Sequence, residues 1–138
     1  MTAGYSGTPL ARKLGIRAGD TVVVIGEPDG FRSLLTDLPA EVTFSASPSD
    51  LEGSPGVVIA FETERAHLAE TLAAVVPVVH PDRAVWIAWP KKAAKVPTEL
   101  TGDVVRAAIL ATSLVDVKVC AIDDTWSGLK SVWRKELR

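Results

Sequence analysis

The chain has 138 residues, 47% of them hydrophobic and 23% charged, and 17 acidic against 15 basic side chains leave a formal charge of -2. That length fits one domain able to bury roughly two-thirds of its unfolded surface without disulfides or metals, and ordinary composition excludes a disordered chain. The balanced charge excludes a global field that would draw the protein onto nucleic acid or an anionic membrane.

In chain order, Thr8-Pro9 reads as a cap and first-turn proline for a short helix through Leu10 and Leu14, ended by Gly15. A first strand follows at 21–25. Asp29 is placed to cap a helix with Phe31, Leu34, Leu35 and Leu38 on its apolar face, stopped by Pro39. "EVTFS" at 41–45 predicts a second strand, and the Ser, Pro and Gly of 45–56 predict a loop too short for a full helical crossover and a further strand. "VVIAFE" at 57–62 is a third strand, after which Thr63 opens a helix carrying Leu68, Leu72, Val75 and Val76. "AVWIAW" at 84–89 is a fourth strand, cut off by Pro90. Thr101 caps a helix with Val104, Val105, Ala108 and Ile109 on one face, and "LVDVKVCAI" and "LKSVWRK" form a C-terminal hairpin across "DDTWSG".

The strands are apolar throughout rather than at alternate positions, as a sheet covered on both faces requires. The expected fold is therefore one α/β domain over residues 1–138, a three-layer Rossmann-like sandwich of mostly parallel strands with an antiparallel hairpin at one edge. No apolar run approaches the roughly 20 residues that span a bilayer, and the first residues lack the apolar centre of a signal peptide, so a cytoplasmic protein without a membrane partner is expected. Cys120, the single cysteine, sits in an apparent strand and reads as a structural thiol. His67 and His80 have no evident nucleophile beside them and read as structural or surface residues.

Three segments resemble class I methyltransferases, which use S-adenosylmethionine. They are "VVVIGEPDG" where that family has its first strand and glycine loop, "PDRAVWIAW" where it has a strand after a turn, and the C-terminal hairpin. The resemblance implies a reduced methyltransferase topology and a cofactor loop formed by Gly26, Glu27, Asp29 and Gly30. The loop departs from the family in chemistry, because Pro28 has no N–H to donate and two carboxylates repel an anion. The family also carries an acid at the end of its second strand to hold ribose hydroxyls, where "VTFSAS" offers only serines. "AGYSGTPLARKLGI", "WIAWPKK" and "VKVCAIDDTWSGLK" together resemble a family of short bacterial proteins known as domain of unknown function 3052, which implies relatives but no reaction.

Ligands of open α/β sheets collect at the carboxyl ends of the strands. That rule gathers Trp89, Lys91 and Lys92 with Asp123 and Trp126 on one rim, with Tyr5 of the N-terminal arm as a lid or a tether. Two ammonium groups beside an aromatic face suit a phosphate, a carboxylate or an acidic protein segment. No catalytic residue, metal or cofactor is expected, and nucleic acid is not the expected partner. The expected function is thus a non-catalytic binding or regulatory module for an anionic small molecule or protein segment. The alternatives are a reduced S-adenosylmethionine-dependent methyltransferase and a structural subunit whose edge hairpin pairs with a second copy or another protein.

Overall fold

Six strands form the centre of the protein, seen in a computed structural model that describes residues 8–138. They are β1 (Thr21–Ile25), β2 (Thr43–Ser45), β3 (Gly56–Phe61), β4 (Ala84–Pro90), β5 (Leu114–Ala121) and β6 (Trp126–Trp133), hydrogen-bonded in the order β2-β1-β3-β4-β6-β5. The first four run parallel, and β6 lies antiparallel between β4 and β5. This is the mostly parallel α/β sheet with a C-terminal antiparallel hairpin that the apolar runs predict.

Each face of the sheet has its own core. On one face α2 (Arg65–Val78) and α3 (Gly102–Leu110) bury Leu68, Leu72, Val75, Val105 and Ile109 against Val23, Val58, Ala60, Val85 and Ile87. The other face is covered by less regular chain: α1 (Leu10–Lys13) and a 3-10 turn at Arg32–Leu34 bring Ala11, Leu14, Phe31 and Leu35 onto Val22, Val24, Ile59, Trp86 and Ala88. Successive strand residues serve opposite cores, which is why the strands read as unbroken apolar runs.

The predicted helix from Asp29 to Leu38 does not form; only the single 3-10 turn does. Pro39 disfavours a helical Leu38, and the remaining residues are too few to offset the cost of nucleation. Asp37 and Glu41 instead adopt φ of 58° and 60°, which also shortens β2 to three residues. Thr63 does not cap α2, which begins at Arg65 with Glu64 in the cap position. Thr63 gives its carbonyl to the Glu99 N–H at 2.8 Å and the Thr98 hydroxyl at 2.9 Å. Pro9 stands before α1 rather than in its first turn. Thr101 does cap α3, its hydroxyl oxygen accepting the Val104 N–H at 3.2 Å.

The hairpin turn is tighter than "DDTWSG" suggests, because Trp126, Ser127 and Gly128 already belong to β6. At the outer edge, β5 exposes Val117 and Val119, and a register shift between Asp116 and Lys118 leaves Val117 without a partner in the ladder. Such a bulge twists an edge away from further pairing.

Candidate functional site at the carboxyl rim

From β1 the chain passes to β2 on one side and then returns to β3 on the other, so the topological switch lies between β1 and β3. Gly26 leaves β1 with φ +66°, and a Cβ there would stand 2.6 Å from the carbonyl oxygen of Phe61. Only glycine lets the chain turn so close to the end of β3. Glu27 is held by Arg32 at 3.1 Å, and the Arg32 guanidinium lies 4.0 Å from the centre of the Phe44 ring. Asp29 and Gly30 are exposed beside them.

Just past β3 sits a polar group that the sequence reading did not assemble. Glu62 is 1% exposed, and its backbone N–H donates to the Ala88 carbonyl at 2.9 Å. Its carboxylate accepts the Thr71 hydroxyl at 2.6 Å and pairs with His67 Nδ1. With Nδ1 engaged, Nε2 is the imidazole nitrogen left for a ligand or a proton, and the His67 side chain is 54% exposed. The hydrogen bond to Glu62, reinforced by the Glu62 charge, raises the His67 pKa above its ordinary 6.5; slight burial opposes the shift, and Glu70 and Glu64 add to it. The detectable signal was a glutamate closing a strand with His67 and Thr71 one helical turn apart, which places both on one face of α2.

The raised pKa fixes a sign. Stability supplied by the His67–Glu62 pair is fully present below the unfolded histidine value near 6.5 and is lost as pH rises through the higher folded value. The melting temperature of the native protein should therefore exceed that of a His67→Gln variant by more at about pH 6 than at about pH 8. A pH-independent difference between the two melting curves would contradict the pairing.

At the end of β4, Pro90 stands opposite Trp126 in the sheet, and the Lys91 N–H donates to the Thr125 carbonyl at 2.7 Å. Asp123 Oδ1 accepts the N–H groups of Thr125 and Trp126 at 2.8 and 2.7 Å, so this carboxylate builds the turn. Trp126 meets the edge of Phe61 at 5.1 Å between centroids. Trp89 is 8% exposed and lies in the core beneath α2 and α3, so it offers no open aromatic face to the lysines. Lys91 is half-buried and Lys92 exposed, and no ion pair among the described residues holds either ammonium. Tyr5 lies outside the described residues.

Asp50 is a second residue the sequence reading missed. From a 3-10 turn at Pro48–Leu51 its Oδ2 accepts the Ser45 hydroxyl at 2.5 Å, bringing a carboxylate to the carboxyl end of β2. Away from the rim, His80 packs edge-on against Trp133 with centroids 4.4 Å apart, and its Nε2 lies 3.2 Å from the Leu137 carbonyl. Burial pushes the Cys120 thiol up from its usual pKa, while Lys13 and Lys118 pull against it, so a reactive thiolate is not favoured. Among the described residues no group of three histidine, cysteine or acidic side chains is arranged to hold a metal, and no helix is long and apolar enough to cross a membrane.

Strand order, switch point and antiparallel hairpin define a Rossmann-like α/β fold of the methyltransferase type. Solved structures that share it include a candidate type 11 methyltransferase from Sulfolobus solfataricus, with a TM-score of 0.62 and 14% identity over 91% of this chain and 90% of that one. A candidate methyltransferase from Thermoplasma acidophilum superposes with a TM-score of 0.55 and 12% identity over 93% and 75% of the two chains. The B. subtilis tRNA methyltransferase TrmK gives 0.52 and 10% identity over 97% and 67%. No family model and no curated protein matches the chain in sequence, so the comparisons support the fold resemblance and not the expected place in family 3052.

Proposed function

We propose that this chain is a reduced methyltransferase-like domain that binds S-adenosylmethionine, or a nucleoside of the same kind, at the switch point between β1 and β3. The observation that carries the reading is Asp50, which supplies from the following turn the carboxylate that β2 itself lacks, where the resembled family holds ribose hydroxyls. The loop after β1 fits the ligand's charge, since Asp29, beside a Glu27 shared with Arg32, disfavours a nucleotide phosphate but favours a sulfonium and an α-ammonium group. Gly26 keeps the approach to the strand ends open. When a methyl acceptor lies over the rim, His67 Nε2, oriented by buried Glu62, is the group suited to take its proton.

Thermal unfolding against S-adenosylmethionine and S-adenosylhomocysteine tests the reading. At about 100 times its dissociation constant a ligand adds about 2.7 kcal/mol of stability, a shift of several degrees in a chain of this size. An Asp50→Ala variant should lose that shift. No response to either nucleoside would sink the proposal.

A second reading, a non-catalytic module for an anionic small molecule or protein segment, is favoured by the ammonium groups of Lys91 and Lys92 on the same rim, which no ion pair among the described residues holds. It requires a stabilising anion whose effect disappears in the Lys91→Ala/Lys92→Ala double variant.

A further inference from the structure

Opposite the rim, the amino ends of β1, β3 and β4 surround a cavity of about 500 Å³. That volume lies within the range of small-molecule sites. Among the described residues its ionisable lining is Arg17, Arg83 and Lys130 with Asp20 and Asp82, an excess of one positive charge. Two of the five are committed to backbone groups. Asp20, 5% exposed, accepts the Arg17 N–H at 2.8 Å, and Arg83 donates to the carbonyls of Ser54, Val78 and His80.

Arg17, Lys130 and Asp82 remain, two cations against one carboxylate, and Lys118 adds a third cation directly opposite Lys130 across the β5–β6 ladder. Among the described residues no ion pair holds any of these three cations. Burial, then the charges of Lys118 and Arg17, pushes the Lys130 pKa down, as expected for an ammonium crowded by like charge. A cluster of this kind is unfavourable by itself and is relieved by an anion. A guanidinium and an ammonium lining one cavity match a phosphoryl group, the first through its planar fork and the second as a point charge.

We propose that the cavity at the amino ends of the strands binds the phosphoryl group of a small molecule between Arg17 and Lys130, with Lys118 at its flank. The site is separate from the rim and does not depend on a cofactor there.

Sodium pyrophosphate is the probe. It should raise the melting temperature of the native chain by several degrees at saturation, beyond any effect of sodium chloride at equal ionic strength. An Arg17→Gln/Lys130→Gln double variant should melt no lower than the native protein without ligand, because like-charge repulsion has been removed, and should not respond to pyrophosphate. The Lys91→Ala/Lys92→Ala variant should keep the full response. An equal rise in the Arg17/Lys130 variant, a rise reproduced by chloride, or no rise at all would overturn the proposal.

Discussion

Replacing Trp86 by alanine is expected to cost about 3–5 kcal/mol of folding stability, the usual range for removing a buried aromatic side chain. Trp86 is fully buried on the face of the sheet that has the less regular cover. Its indole N–H donates to the Leu14 carbonyl at 3.0 Å, tying the end of α1 to the middle of β4. Gly128 on β6 makes room for the ring, since a Cβ there would stand 3.2 Å from it. Truncation would remove the core of that face and the tie to α1 together. A Trp86→Phe variant separates the two effects: most apolar area stays, and the Leu14 carbonyl loses its donor, for an expected loss of about 1–3 kcal/mol. Urea unfolding midpoints of the three proteins check the order, and equal midpoints for the alanine and phenylalanine variants would show that the hydrogen bond outweighs the packing.

Trp86 also shows why the fold was legible in the sequence. Strands buried on both faces must be apolar at every position, and "VVVI", "VVIAF" and "AVWIAW" are. The helix expected after Asp29 and ended at Pro39 failed because apolar spacing does not weigh the nucleation cost of so short a run, where local backbone cost decides. The site was legible in outline only. Strand ends gave the rim, but whether Trp89 faces a ligand or the core depends on which face of β4 each residue serves, and the strand pattern does not distinguish two buried faces. Glu62, His67 and Thr71 lie within ten residues and were within reach of a pattern search. Asp50 reaches Ser45 only through the geometry of a turn, and Arg17, Lys118 and Lys130 are assembled by tertiary structure from distant parts of the chain.

Gly26→Ala is the substitution expected to strike stability and ligand binding at once. At φ +66° a Cβ meets the following carbonyl, a strain of about 1–2 kcal/mol for an L-residue. The same Cβ would lie 2.6 Å from the Phe61 carbonyl oxygen, a backbone atom in β3 that pairs with β4 and cannot step aside cheaply, adding about 1–3 kcal/mol of overpacking. The chain can relax only by moving the 26–30 loop outward from the end of β3, which displaces Glu27 and Asp29 and opens the switch point. Melting should therefore fall by an amount matching several kcal/mol, and any stabilisation by S-adenosylmethionine should be lost even at a temperature where the variant is fully folded. Gly30→Ala is the control: it has φ +82° but nothing within 4 Å of its Cβ, so it carries the backbone strain without the collision. If both variants lose stability equally, the close approach of Gly26 to β3 contributes nothing; if Gly26→Ala melts lower and alone loses the ligand, that approach shapes the site.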